Sequence, residues 1–277
     1  MTGTGTLALA LLLSGPAAPA GIRWERRFDE ALKKARLLKK PLLVDFWADW
    51  CSWCHRLDRS TYVDPVVARA AEDFVAVKVN TEGGAPETQI VLRYDVSSLP
   101  TILFLTPSGR QLSRVNSFQG PGQFPSTLQR AKGEAQKVMA WEAALDKNPK
   151  DASALALLGT HLFEQEFYEE SRDLLHEAVR LDADQPAGNR RRTRMLLAII
   201  QNYDRKFAQA ETLLKEALAL KPPGDDEPKL LFILGRTYVS WGRPAEARQT
   251  MQQIVDEFAQ SPLAQKARET LVVLDHK

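Results

Sequence analysis

Beyond about Gly133 the chain carries no strand signal: Ala, Leu, Glu and Arg dominate, and apolar residues recur at helical spacing in pairs of segments. This part of the sequence repeats itself. Ala144, Ala178, Ala217 and Ile254 anchor four stretches at intervals of 34, 39 and 37 residues. Leu158-Gly159, Leu197-Ala198 and Leu234-Gly235 occupy the matching place one helix earlier; Ala210 and Ala247 lie seven residues before the later anchors, and Pro149 and Pro222 five residues after theirs. Helix pairs of this length cannot bury their faces alone and form a core only by stacking, so residues 133–277 are expected to be an all-α solenoid. Three repeats with caps are expected, the first stretch contributing only its second helix, with extended helices or loops at 182–190 and 222–228.

These matches resemble the tetratricopeptide repeat, in which small residues let two helices pack closely and a proline starts the next turn. The last repeat matches best, with Leu234, Gly235, Tyr238 and Ala247 together. The resemblance implies a protein or peptide partner on the repeats.

The preceding residues have a different texture. Phe28, Ala31, Leu32, Ala35 and Leu38 read as an amphipathic helix ended by Pro41, and 42–47 as a buried strand. A helix is expected from Cys51 through Leu57 and, after the break at Asp64-Pro65, another from Val66 to Glu72. Strands follow at 74–79 and 102–105; the latter ends at Pro107-Ser108-Gly109, 111–118 completes a hairpin with it, and a helix starts near Pro125. The predicted fold is an α/β domain over 21–132, a central mixed sheet flanked by helices. A length of 277 residues, 44% hydrophobic and 26% charged, accommodates two such domains. The formal charge of +2, from 37 basic and 35 acidic residues, argues against a nucleic-acid partner.

Residues 1–20 read as a signal peptide, with an apolar run from Leu7 to Leu13 and an Ala18-Pro19-Ala20 stretch like a cleavage site, cut after Ala20. The run is shorter than the roughly 20 residues of a membrane span, so no stable membrane insertion is expected. A periplasmic or secreted protein follows. No Lys or Arg precedes the run, which leaves open a mis-assigned start or an uncleaved cytoplasmic segment. An oxidising compartment favours stapling disulfides, yet the only two cysteines are Cys51 and Cys54. Any disulfide here would be a working one.

Cysteines at i and i+3 on a helical turn have Cβ atoms roughly 5–6 Å apart, close enough for a small adjustment to join the sulfurs. The surrounding residues, Val44-Asp45-Phe46-Trp47-Ala48 running into Trp50-Cys51-Ser52-Trp53-Cys54, resemble the thioredoxin superfamily, as do Val77-Lys78-Val79-Asn80 and Ser98-Leu99-Pro100-Thr101. The resemblance covers roughly 24–132. Ala48-Asp49-Trp50-Cys51, Thr61-Tyr62 and Asp64-Pro65 are closer still to the periplasmic thioredoxin-like domains of disulfide-bond transmembrane reductases. It implies a thiol–disulfide oxidoreductase acting on protein thiols and disulfides, with a cis proline at Pro100 facing the disulfide. It also nominates Asp45, on a buried strand, as proton acceptor, with Lys78 beside it; the alternative for Asp45 is a strand-end carboxylate facing water.

At a helix N-terminus Cys51 meets unpaired N–H groups, which favour its thiolate and make it the attacking sulfur. Cys54, one turn inside, resolves the mixed disulfide. Trp50 and Trp53 would offer apolar surface to a bound segment, against a core-packing alternative that suits Trp47 best. Such a site needs no metal or organic cofactor. Cys51-Ser52-Trp53-Cys54-His55 also spells a c-type haem attachment, but the preceding strand argues against it, and two cysteines are too few for a structural zinc. His55 reads as an exposed helical residue or a tuner of the thiolate, Asp58 as a solvated carboxylate or a participant in proton movement. Arg190, Arg191, Arg192 and Arg194 read as a solvated helix start or an anion site. Ser52-Trp53 matches neither the Gly-Pro of cytosolic thioredoxins nor the Pro-His of strong periplasmic oxidants; the flanks favour reduction or isomerisation. The competing function is a repeat-based interaction scaffold with the thioredoxin fold as docking module.

Overall fold

The computed structural model describes residues 21–182 and 186–275, and the expected signal peptide lies outside them. The chain divides after Lys137 into two compact units.

In the first unit five strands, β1 (Trp24–Glu25), β2 (Leu42–Trp47), β3 (Val75–Asn80), β4 (Thr101–Leu105) and β5 (Gln111–Val115), form one sheet in the order β1-β3-β2-β4-β5. β3 pairs in parallel with β1 and β2, whereas β4 is antiparallel to β2 and β5. β2 lies at the centre because its apolar run can be covered on both faces: Leu42 to Phe46 are all buried. The helices α1 (Phe28–Leu38), α2 (Ser52–Arg56), α3 (Pro65–Ala71) and α4 (Ala85–Arg93) lie between the strands in sequence. Asp64 starts α3 by accepting the N–H groups of Val66 and Val67, with Pro65 fitting the first turn. Two elements depart from the reading above. β1 is only two residues long, and α4 buries no residue completely, so neither leaves a strong periodic signal. The helix from the cysteine motif does not stay regular: after α2 the chain takes a π-helical turn over Leu57–Thr61, closed by Tyr62 N–H on the Leu57 carbonyl at 2.9 Å.

Helix α5 (Phe124–Lys147) carries both Gly133 and Ala144, so the change of texture at 133 falls inside one continuous helix. In the second unit the helices pair as α6 (Ala152–Glu164) with α7 (Tyr168–Arg180), α8 (Ala187–Tyr203) with α9 (Phe207–Ala219), and α10 (Glu227–Trp241) with α11 (Pro244–Glu257), followed by α12 (Pro262–Asp275). The turns within the pairs repeat one geometry, with positive φ at Glu166, Arg205 and Gly242. Anchors Ala178, Ala217 and Ile254 are buried, as are Leu197, Ala198, Ala210, Leu234 and Ala247. No helix among the described residues is long and apolar enough to cross a membrane.

The small residues are required by the closeness of paired helices. A Cβ on Gly159 would lie 2.9 Å from both Cγ and Cδ2 of Leu175, whose side chain is fully buried; on Gly235 it would meet the mobile end of Met251, with Cε at 2.7 Å. Alanine improves helix propensity by about 1 kcal/mol at either site, while overpacking a core costs roughly 1–3 kcal/mol. Gly159→Ala should therefore lower the thermal midpoint by several degrees and Gly235→Ala by clearly less, because a methionine end can swing aside. Thermal unfolding followed by circular dichroism decides; equal losses would mean that Leu175 yields as easily as Met251.

The arginine cluster is neither a solvated helix start nor an open anion site. Arg191 is buried, pairs with Asp226 at 3.0 Å and donates to the Pro222 carbonyl at 2.7 Å, tying α8 to the 220–226 loop. Arg194 is also buried, in contact with Asp182 and 3.1 Å from Glu216. Arg190 lies 3.5 Å from Asp182, and only Arg192, paired with Glu164, is exposed. Arg191 thus fastens the 220–226 loop, and Arg190 and Arg194 fasten Asp182; residues 183–185 of the other expected extension lie outside the described residues.

Candidate redox site

The site begins where β2 ends. Trp47 closes the strand, and Ala48 to Trp50 turn the chain into α2, with Cys51 N–H donating to the Ala48 carbonyl at 3.0 Å. Cys51 then caps α2. Its Sγ accepts the Cys54 N–H at 3.2 Å, and the two sulfurs are joined in a disulfide. Cys54 is fully buried and Cys51 retains 4% exposure. A backbone N–H directed at Cys51 Sγ stabilises negative charge there once the disulfide opens.

The aromatic flanks project outward. Trp50 and Trp53 are 68% and 50% exposed, which excludes core packing for both. Trp50 Nε1–H donates to Glu82 Oε1 at 2.9 Å. Trp53 packs against Phe118, their ring centroids 5.4 Å apart. His55, half-buried, meets the Asp49 carbonyl through Nε2 at 2.8 Å and the Trp47 ring edge-on.

The antiparallel register pairs Phe46 with Thr101, which brings Pro100, the residue before β4, to the end of the sheet from which the chain enters the cysteine motif. Leu99-Pro100 is cis and Pro100 is buried.

Asp45 is fully buried in the middle of β2, so the water-facing alternative does not apply. The parallel register sets it directly beside Lys78 on β3. Tyr62 donates its hydroxyl to Asp45 Oδ1 at 3.0 Å, while Lys78 Nζ lies 3.2 Å from Oδ2 without hydrogen-bond alignment, its directed contact being Asp58. The Lys78 ammonium also lies within about 5–6 Å of the ring centres of Trp24, Trp47 and Tyr62. Asp58 is therefore more than a solvated helix carboxylate, since Lys78 links it, part-exposed, to buried Asp45. Burial pushes the Asp45 carboxyl up from an ordinary 3.8 to about 6; Lys78 and the Tyr62 hydrogen bond pull it down, and Asp58 adds a smaller upward push. Burial first, then the neighbouring Asp45, raises the Tyr62 phenol, which keeps it a donor.

Tyr62, Glu82 and Phe118 join the site with no signal in the sequence beyond the Thr61-Tyr62 fragment of the resemblance. Removing its hydroxyl tests its part: Tyr62→Phe keeps the ring packing against Trp24 and Phe124 but deletes a hydrogen bond to the charged form of Asp45. Asp45 should then titrate higher by about one pH unit, measured by carbon-13 NMR of the Asp45 carboxyl. An unmoved titration would show that the hydroxyl does not bias the carboxylate.

Comparison with known proteins agrees with this construction. Residues 23–107 match a family model described as thioredoxin-like, and residues 139–186 and 203–271 match tetratricopeptide repeat models. The chain thus joins a thioredoxin-like domain to tetratricopeptide repeats. A thiol:disulfide interchange protein DsbD of Ralstonia nicotianae is 34% identical over 110 residues, 39% of this chain and 18% of that protein. The DsbD of Salmonella typhimurium is 35% identical over 103 residues, 36% of this chain and 18% of that protein. The chain spans under a fifth of the length of these relatives. A solved structure named DsbH oxidoreductase is 24% identical, with 46% of this chain and 95% of that chain covered and a TM-score of 0.39.

Proposed function

We propose that the chain is a thiol–disulfide oxidoreductase that reduces or isomerises disulfides of exported proteins, in the periplasm or secreted, with its repeats binding a protein or peptide partner. The observation that carries the reading is the Cys51–Cys54 disulfide at the start of α2, with a backbone N–H on Cys51 Sγ.

In the reductive direction the Cys51 thiolate attacks one sulfur of a partner disulfide; the partner S–S bond breaks, a mixed disulfide forms, and the other partner sulfur leaves as thiolate. Cys54 gives its proton to Asp45 and attacks Cys51 Sγ. The mixed disulfide breaks, the partner leaves with both sulfurs reduced, and the chain keeps the Cys51–Cys54 disulfide. Two electrons have passed to the partner, and an external dithiol must restore them. A buried thiol cannot lose its proton to bulk water directly, which is why an acceptor titrating near pH 6 suits Cys54. Lys78 and the part-exposed Asp58 offer the return route to solvent. Pro100, lacking an N–H, leaves its edge of the site free to receive an extended segment of the partner. Trp50 and Trp53 shelter it from water. The reductive direction rests on the flanking residues Ala48-Asp49-Trp50 and Asp64-Pro65.

Reduction of insulin by the pre-reduced full chain tests the reading. Turnover with dithiothreitol should exceed that of dithiothreitol alone and vanish in Cys51→Ala; if wild type and variant are equal, the interaction-scaffold reading replaces it.

A further inference from the structure

Around the disulfide the exposed surface is asymmetric in charge. On the Trp50 side stand two exposed carboxylates: Asp49, adjacent in sequence, and Glu82, held by the Trp50 indole. On the Trp53 side stands an exposed cation, Arg56, on the same short helix as Trp53. Its guanidinium lies 5.2 Å from the centre of the Trp53 ring and 5.1 Å from that of Phe118, and the two rings touch each other. Phe118 arrives from the segment after β5, so the guanidinium is held between contributions of two separate elements. A long flexible side chain stacked on two rings is pre-organised, and a later ion pair then loses less side-chain freedom. The platform also adjoins the reacting pair along the chain, because Trp53 lies between the two cysteines in sequence.

We infer that Arg56, seated on Trp53 and Phe118, is a specificity-determining residue that docks an acidic side chain next to the reacting cysteine of an extended partner segment. This rests on the oxidoreductase reading and names the partner class for the same site. The occupant follows from charge complementarity. The carboxylate of a flanking Asp or Glu meets the guanidinium, its methylene groups lie on the rings, and a basic residue beyond the other side of the cysteine meets Asp49 and Glu82. A segment of opposite polarity would place like charges together at both ends.

Two peptides, each cyclised by one disulfide and identical except for Glu or Lys beside the cysteine expected at Trp53, provide the test. Each is mixed with pre-reduced full chain, and the single-turnover rate is followed by tryptophan fluorescence. The chain's dithiol becomes a disulfide while the peptide disulfide becomes two thiols, so no further reductant is needed. An exposed ion pair supports a preference of about three- to five-fold for the Glu peptide, decreasing as salt rises. Arg56→Met should bring the ratio of the two rates close to one and Arg56→Glu should invert it. Equal rates for the two peptides with wild type, or a ratio that Arg56→Glu leaves unchanged, would overturn the docking role while the chain still reacts with hydroxyethyl disulfide, a small uncharged substrate. Failure of wild type to reduce hydroxyethyl disulfide would overturn the oxidoreductase reading, and the docking role with it.

Discussion

Cys51→Ala should abolish disulfide turnover, whereas Cys54→Ser should leave the first exchange intact and stop the second. The difference comes from exposure and order of attack. Cys51 caps α2, accepts the Cys54 N–H and keeps a sliver of surface, while Cys54 has none, so an incoming disulfide can be met by Cys51 alone. Deleting the nucleophile removes the reaction's first bond, and losses of about a thousand-fold or more are usual for such a change. A serine at position 54 cannot displace the partner from Cys51, because a hydroxyl is a far weaker nucleophile toward sulfur than a thiolate. The mixed disulfide should accumulate as a higher band on a non-reducing gel that dithiothreitol dissolves. Turnover retained by Cys51→Ala would assign the attack elsewhere. Absence of a trapped partner in Cys54→Ser would mean that Cys51 does not form the mixed disulfide.

Much of the scaffold behind this site is legible in the residues. The run Leu42 to Trp47, apolar but for Asp45, marks a strand covered on both faces, and β2 occupies that span. The small anchors of the repeats record where helices must approach closely, and Gly159 against Leu175 shows why a larger residue is absent there. Burial of Asp45 is readable from Val44 and Phe46 beside it. The long-range polar partners are not readable, since periodicity says which face of an element is covered and not which distant side chain reaches it. Tyr62 arrives at Asp45 because a π-helical turn shifts the register after Leu57. Phe118 meets Trp53 from beyond the end of β5, which stops at Val115 although the sequence reads as a strand up to 118. Arg191 and Arg194 look solvated in sequence because their carboxylate partners Asp226, Asp182 and Glu216 lie in other segments.

Asp45→Asn should slow the second exchange and stabilise the fold, two effects of opposite sign from one carboxyl. In the native state Asp45 titrates at about 6 against an ordinary 3.8. Below pH 4 native and unfolded chains both carry its proton. Between about pH 4 and 6 the native state binds more protons than the unfolded state, so this group makes stability fall as pH rises through that window. Above pH 6 both states are ionised and the cost is constant. A separation of roughly two units at 1.36 kcal/mol per unit amounts to about 3 kcal/mol. Asparagine keeps the shape and can still accept from Tyr62, but leaves Lys78 with Asp58 as its remaining carboxylate partner; a net gain of about 2 kcal/mol at pH 7 is expected. The gain should shrink as pH falls from 6 to 4, as measured by urea unfolding of both oxidised proteins. Kinetically, an amide cannot take the Cys54 proton, and loss of a positioned base costs about a hundred-fold. Release of the partner from the mixed disulfide should therefore be slow in the variant and lose the wild-type rise in rate through pH 6. A residue that merely fills space would lose stability on replacement and leave that pH profile in place. Wild-type release kinetics in Asp45→Asn, or a stability difference independent of pH, would remove Asp45 from the proton path.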